Sequence, residues 1–368
     1  NGTQHQSSLE PDFDWLIAPA SKTEFMEEYW EKAPFLARAP EGQRSRFADY
    51  LPPDDLNTVL TSYGLSHPDV SLADASRDLT AEDYSFPNGR IDPVRAYQEH
   101  QKGASLIFNQ LQIMHPGMAR LTHAMEASLN HSFQTNIYWT PSNAQGFKTH
   151  YDNHDVFVLQ VSGSKEWKLY DTAIPLPLRS QAFVPGQMKF GPVSSEFVLE
   201  EGDMLYLPRG LVHDARSTGD PSIHITLGLL SRTWLEVIQE SIAQLALEDV
   251  ALRKSVTPGF AMDPSKRQEA AQELKRLIGG LAGKIDASSE IDKNAHHFIA
   301  NRVPVAHDQP AQLAGLETLQ PDTPMQLRPH AMVLIDTDPE TIRVHAYGRT
   351  VAFPESAEAE LRAIMTGE

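Results

Sequence analysis

Two histidines and one aspartate form the most chemically informative pattern in this chain. His150 and Asp152 are two residues apart, and in an extended segment such side chains point to the same face. A second imidazole from elsewhere would complete a set of two histidines and one carboxylate. Such a set binds Fe(II) on one face and leaves coordination positions open. His213 is the candidate, because a short strand and a Pro208-Arg209-Gly210 turn lead directly to it.

A further histidine competes for the same role. By strict alternation His154 shares a face with His150 and Asp152 and could be an alternative ligand. His213 has the stronger context, so we expect His154 to lie outside the ligand set or to face a substrate. A His-x-Asp pair is common on its own, and the alternative interpretation is that these residues are ordinary surface or core positions.

The surrounding sequence predicts the elements that would position these residues. Short apolar or alternating segments separated by turns are typical of a β barrel or sandwich. The predicted strands are 35–36, 105–108, 134–139, 156–161, 166–170, 196–199, 204–207 and 222–228. Helical spacing predicts helices near 21–33, 91–101 and 115–131. Because Ser162-Gly163-Ser164 joins two strands, we expect 156–161 and 166–170 to form one hairpin.

The pattern changes after residue 231. Apolar residues recur with helical period over 234–247 and 264–285. A helix near 294–302, strands over 331–336 and 341–347 and a last helix over 356–365 suit a winged-helix-like unit. We therefore predict a disordered tail (1–11), a catalytic barrel (12–230), a helical region (231–290) and a winged-helix-like domain (291–368).

Composition excludes several functions. The 368 residues contain no cysteine, which removes disulfides, thiolate metal sites and cysteine nucleophiles. No apolar run is long enough to span a bilayer and no signal peptide is evident, so we expect a cytoplasmic protein without membrane contact. The net charge of -18 repels phosphate backbones, so we expect a basic partner and no nucleic acid. The alternative is that the charge serves only solubility.

The candidate ligands belong to one longer sequence motif. It reads Asn136-x-Tyr138-x-Thr140-Pro141, Gln145-Gly146-Phe147, His150-Tyr151-Asp152 and Phe157-x-Leu159-Gln160, with His213 downstream. This motif resembles that of the JmjC-type 2-oxoglutarate oxygenases, and within them the ribosomal oxygenases, which hydroxylate side chains of ribosomal proteins. The resemblance implies a cupin-like double-stranded β-helix followed by a helical dimerisation region and a winged-helix-like unit. Only the barrel part rests on sharp motifs.

The resemblance also implies roles for individual residues. It makes His150, Asp152 and His213 the catalytic Fe(II) ligands and makes Lys165 the partner of the distal carboxylate of 2-oxoglutarate. Thr226 would hydrogen-bond the same carboxylate, with Asn136 and Tyr138 near the co-substrate and O2 at the open metal position. The implied activity is hydroxylation of a histidine or arginine in a basic ribosomal protein by a homodimer.

Physical chemistry supports the role of Lys165 and leaves alternatives open. A buried dicarboxylate needs a cation at its far end, and Lys165 directly follows the Ser-Gly-Ser turn. Lys148 and Lys168 are rivals, and Lys165 could be a solvated turn lysine. Tyr138 could be a core residue and Asn136 an amide that satisfies its own strand. The same chemistry could act on another peptide or a small molecule, or the barrel could be a non-catalytic binding module.

Overall fold

The computed structural model describes residues 11–304, 309–320, 323–324, 327–338 and 341–366. Most of the predicted disordered tail, residues 1–10, lies outside this range. The chain divides into two compact units, of which the first ends at Ser231 and the second begins at Arg232. The predicted four-part domain division stays a prediction.

The first unit contains two antiparallel sheets. Its strands are β1 (Phe35–Ala37), β2 (Val70–Ala73), β3 (Ser105–Phe108), β4 (Ser132–Thr140), β5 (Asp155–Ser162), β6 (Lys165–Ala173), β7 (Val193–Leu199), β8 (Met204–Leu207), β9 (Leu211–Ser217) and β10 (Ser222–Leu230). The major sheet has the order β1-β8-β5-β10-β4-β3-β2, and the minor sheet has the order β7-β6-β9. The predicted cupin-like arrangement of antiparallel strands is confirmed.

Alternation along β5 builds two hydrophobic cores. Val156 and Val158 pack with Trp167 and Leu169 of β6, so this face lies between the two sheets. Phe157 and Leu159 point the other way, into a larger core beneath the helices. Because both faces of β5 are covered, the strand is a continuous apolar run. Full burial of each such side chain contributes about 1.5–3 kcal/mol.

Helices cover the outer face of the major sheet and flank it. They are α1 (Phe13–Ile17), α2 (Lys22–Glu24), α3 (Pro53–Ser62), α4 (Pro93–Gln101) and α5 (Pro116–Leu129); α2 runs on into a wider helical turn over Phe25–Tyr29. α4 begins as predicted, with Pro93 in its first turn and the Asp92 carboxylate accepting from Val94 N at 3.0 Å.

The predicted hairpin of 156–161 and 166–170 is wrong. β5 pairs with β8 and β10 in the major sheet, whereas β6 pairs with β7 and β9 in the minor sheet. The intervening turn therefore carries the chain from one sheet to the other. Gly163 has φ +64°, and a Cβ there would lie 2.0 Å from the carbonyl oxygen of Pro221. Glycine permits the backbone conformation of this turn, but it does not determine which strands the flanking segments pair with.

Two strands of the first unit were not predicted from the sequence. β2 lies in a polar, turn-rich region. β9 contains His213, for which the sequence predicted only a preceding turn and no strand. β9 has few apolar residues because several of its side chains are polar groups of the site or face solvent. Its strand character comes from pairing with β6.

The second unit is mixed. It consists of α6 (Trp234–Glu248), α7 (Pro264–Leu281), α8 (Ala287–Ala300), α9 (Gln309–Gly315), β11 (Leu334–Asp338), β12 (Thr341–Ala346), β13 (Arg349–Pro354) and α10 (Glu358–Thr366). The strands form one antiparallel sheet in chain order. Within the described ranges no helix has both the length and the apolar composition needed to cross a membrane. The winged-helix and dimerisation assignments stay predictions.

Candidate metal centre and anion-binding pocket

Backbone hydrogen bonds align the candidate ligands. The amide of His150 donates to the carbonyl of His213 at 3.0 Å, and the amide of His213 donates back at 2.8 Å. Residues that exchange both bonds are directly opposed, and their side chains leave on the same face. The Gly210 amide donates to the Asp152 carbonyl at 2.8 Å, which ties the third residue to the turn that precedes the strand of His213.

The three side chains converge on one point. Nε2 of His150 lies 3.8 Å from Asp152 Oδ1, and Nε2 of His213 lies 3.7 Å from Asp152 Oδ2. Nδ1 of His150 donates to the Lys148 carbonyl at 2.8 Å, and Nδ1 of His213 donates to the Leu211 carbonyl at 2.9 Å. Since a carbonyl can only accept, each neutral ring presents its Nε2 lone pair to the centre. The geometry is therefore that of a metal-binding triad.

The local electrostatics suits metal ligation. Burial lowers the pKa of His213 to about 4, and the nearby His150 adds to the effect. His213 is therefore a neutral imidazole at neutral pH, as a metal ligand must be. Burial would raise the pKa of Asp152, but His213, His150 and His154 outweigh it, and the net shift is downward. Asp152 is consequently a carboxylate.

Lys165 lies deep in the barrel. The residue is 4% exposed, and its Nζ donates to Thr140 Oγ1 at 3.1 Å and lies 3.4 Å from His224 Nδ1. Burial lowers its pKa to about 7. Among the described residues no carboxylate pairs with it, so its ammonium group is available to an anionic ligand.

The triad and Lys165 line one cavity. Its walls also include Tyr138, Trp167, His224 and Thr226, so Lys165 and two further predicted co-substrate residues are present. Tyr138 stacks on His224 with ring centroids 4.7 Å apart and an interplanar angle of 4°. Burial raises the pKa of Tyr138, which keeps its hydroxyl protonated.

Asn136 is placed differently. It lies opposite Thr226 in the β4–β10 pair, but its side chain is not among those that line the cavity. Its carboxamide oxygen accepts from the Gln110 amide at 3.1 Å. This contact is consistent with a structural role for the Asn136 amide, and a co-substrate role for Asn136 stays a prediction.

Two residues of the pocket were given no role from the sequence. Thr140 appeared only as a member of the motif, yet its buried Oγ1 contacts both Lys165 and Ser105. His224 also had no role of its own; burial lowers its pKa well below the ordinary value, and the charge of Lys165 adds to the effect. A signal was available for His224, because it is two residues before Thr226 on an alternating strand.

The rival residues lie elsewhere. The His154 ring packs at Gly228, where an added Cβ would lie 2.9 Å from its Cδ2, and His154 is not in the triad. Nζ of Lys168 lies 3.7 Å from Glu196 at a partly exposed position. Lys148 lines an outer groove that shares Phe147, His150 and Asp152 with the inner cavity. The pocket thus opens onto a wider surface at the metal ligands.

A buried ion-pair network holds the turn before β9. Nη1 of Arg209 contacts Asp155 Oδ2 and Glu31 Oε1, each at 2.6 Å. Tyr206 donates its hydroxyl to Asp155 Oδ1 at 3.0 Å. Arg209 directly precedes Gly210, whose amide donates to the Asp152 carbonyl. The network therefore stabilises the turn that positions Asp152.

Comparison with known proteins agrees with this geometry. The JmjC domain signature matches residues 108–237. Over 315 residues the chain is 30% identical to ribosomal oxygenase 1 of Gallus gallus, covering 79% of this chain and 51% of that protein. It is 27% identical to the bifunctional lysine-specific demethylase and histidyl-hydroxylase NO66 of Aedes aegypti, covering 83% and 51%. The chain thus spans about half the length of these relatives.

Solved structures show the same fold. The structure of ycfD from Escherichia coli aligns with a TM-score of 0.54 at 15% identity, covering 94% of this chain and 89% of that one. A second structure, of YcfD described as a ribosomal oxygenase in complex with cobalt and 2-oxoglutarate, aligns with a TM-score of 0.52. The barrel and its triad define a JmjC-domain protein. The chain is also similar, over 79% of its length, to a protein named ribosomal oxygenase 1.

Removing one member of the triad should abolish metal binding there. We expect His213→Ala to bind one Co(II) fewer per chain than the unaltered protein, because two remaining ligands hold the ion weakly. Equilibrium dialysis with metal analysis measures this. His154→Ala is the matched control, since it removes a neighbouring imidazole outside the triad. Equal Co(II) content in His213→Ala and in the unaltered protein would contradict the ligand assignment.

Proposed function

We propose that this protein is an Fe(II)- and 2-oxoglutarate-dependent oxygenase that hydroxylates a protein side chain. The observation that carries the proposal is the buried Lys165, which has no carboxylate partner in the described part of the chain and shares one cavity with the triad. A cation at one end of a small cavity and an open-sided metal site at the other suit a dicarboxylate that also chelates metal. The names of the relatives support the same reaction class.

The donor set fits this cofactor. Nε2 of His150, Nε2 of His213 and the carboxylate of Asp152 would hold Fe(II), as two imidazoles and one carboxylate do in non-haem oxygenases. Lys165 and Thr226 would hold the distal carboxylate of 2-oxoglutarate. When bound, iron, 2-oxoglutarate and O2 supply the C–H oxidation that no side chain can perform, with succinate and CO2 as co-products.

The protein contributes orientation and a dry environment. The carbonyls of Lys148 and Leu211 hold the two imidazoles in one tautomer. Val156, Val158 and Trp167 form an apolar wall of the cavity, which limits water beside the reacting atoms. Thr140 holds the ammonium of Lys165 in position by accepting its hydrogen bond.

The outer groove gives a peptide access to the triad. Asp78, Lys148 and the ion pair of Asp74 with Arg77 line it, and it reaches the triad at His150 and Asp152. The net charge of -18 favours association with a basic protein. We therefore propose a ribosomal protein as the substrate, modified on a histidine or arginine, and no nucleic-acid partner.

The helices of the second unit suit a homodimer. Trp234 and Ile238 of α6 and Leu274 and Ile278 of α7 expose large apolar side chains, with Trp234 74% exposed. A second copy would cover such a surface. Sedimentation at the mass of one 41.0 kDa chain would contradict this part of the proposal.

Turnover tests the proposed reaction. Purified protein with Fe(II), 2-oxoglutarate and O2 should release succinate faster when peptides of basic ribosomal proteins are added, and the peptide should gain the mass of one oxygen atom. Lys165→Met should raise the KM for 2-oxoglutarate by about 100-fold, since a charge-assisted bond contributes about 1.5–3 kcal/mol. Mass spectrometry and a succinate assay measure both. Tight 2-oxoglutarate binding by Lys165→Met would exclude the anchor role.

The pH dependence follows from the lowered pKa of Lys165. Its pKa in the free protein is about 7, and an adjacent carboxylate raises it in the complex, so binding takes up a proton above pH 7. The affinity for 2-oxoglutarate should be highest and constant below pH 7. Above pH 7 it should fall by about tenfold per pH unit, until the pH reaches the pKa of Lys165 in the complex. Calorimetric titration at several pH values measures the slope. Lys165→Arg stays charged and should give a flat profile; identical slopes for both proteins would refute the explanation.

A further inference from the structure

A second group of metal-ligating side chains lies in the second unit. His296 on α8, Asp336 on β11 and His345 on β12 each offer a ligand atom, and these atoms all lie within 4.8 Å of one another. We propose that this trio, the α8–hairpin cluster, binds a divalent transition-metal ion, Zn(II), that fastens α8 to the β11–β12 hairpin. The proposal does not depend on the proposed oxygenase activity.

The fold brings the trio together from three elements. In the β11–β12 register Leu334 is opposite His345 and Asp336 is opposite Arg343, so Asp336 and His345 are diagonal neighbours on one face. The imidazole of His296 packs edge-on against that of His345, with centroids 4.8 Å apart. Oδ2 of Asp336 lies 2.7 Å from His296 Nε2 and 3.0 Å from His345 Nε2.

The hydrogen bond behind His296 decides which nitrogen faces the cluster. Its Nδ1 lies 2.7 Å from the carbonyl oxygen of Asp292, which can only accept, so Nδ1 carries the proton. A neutral ring then directs the Nε2 lone pair at the Asp336 carboxylate, which is also an acceptor. A cation must lie between them. His150 and His213 are held in the same way by carbonyls in the first centre.

That cation is either a proton or a metal ion, and His345 favours the metal. Nε2 of His345 is buried and makes no aligned hydrogen bond to any described residue, although Asp336 Oδ2 is near. Its Nδ1 lies 3.0 Å from Thr350 Oγ1. A proton on His296 would satisfy one contact, and His345 would then depend on its poorly aligned 3.0 Å contact with Asp336 Oδ2. A metal ion would satisfy both nitrogens and the carboxylate at once.

The donor chemistry selects the kind of ion. Two imidazoles and one carboxylate suit Zn(II) and its neighbours in the first transition row, whereas Mg(II) and Ca(II) prefer oxygen ligands. Three protein ligands leave a fourth tetrahedral position for water, which can reach the partly exposed Asp336. A cross-link would stabilise this unit, because in its described part the buried apolar side chains are Met332 and Ile342.

Metal stoichiometry tests the proposal. After dialysis against a chelator, Zn(II) is titrated in competition with a chromophoric indicator. We expect the unaltered protein to bind two ions, His150→Ala/His213→Ala one, His296→Ala/His345→Ala one, and the fourfold variant none. If His150→Ala/His213→Ala binds none, the trio is a protonated ion-pair network and the proposal is overturned.

Stability gives a second readout that needs no activity. Zn(II) should raise the melting temperature of His150→Ala/His213→Ala, because the remaining site ties together elements of the second unit. His297→Ala in that background is the matched control, as it removes the adjacent imidazole on α8 outside the trio. Should His296→Ala/His345→Ala fail to fold, the comparison of His150→Ala/His213→Ala with and without Zn(II) still decides. Equal melting temperatures would refute the cross-link.

Discussion

The reciprocal backbone hydrogen bonds between His150 and His213 are the constraint on which the candidate active site depends. His150 precedes β5 of the major sheet, and His213 belongs to β9 of the minor sheet. Pairing them joins the two sheets at one end of the barrel and leaves both imidazoles on one face. Arg209 and its buried carboxylates stabilise the adjoining turn, so the triad is held by main-chain geometry rather than by side-chain packing alone.

A single buried lysine places a basic group at one end of the same cavity. Lys165 is enclosed by Thr140, His224 and Tyr138, none of which carries a negative charge at neutral pH. An ammonium in such surroundings is stabilised when an anion enters. In the proposed function a ligand carboxylate would offset the cost of burying Lys165, and the direction from Lys165 to the triad would orient that ligand.

The two histidine–aspartate clusters offer the same types of donor atom but differ in the spacing of those atoms. In the first, the imidazole nitrogens lie 3.7–3.8 Å from the carboxylate oxygens and open onto a cavity, which suits a metal that must also bind other ligands. In the α8–hairpin cluster these distances are 2.7–3.0 Å, so the ligand atoms would have to move slightly apart to admit the proposed ion.

The sequence by itself determined most of the strands and helices, where α4 begins, and that His150 and Asp152 share a face. These follow from side-chain periodicity and capping, which act over a few residues. Tertiary structure alone decided that β5 and β6 lie in different sheets, that β9 is a strand, and that Thr140 supports Lys165 while Asn136 contacts Gln110. Each of these depends on pairing between distant segments. Local sequence specifies the conformation and faces of a strand, but its partners are selected by burial in the complete fold.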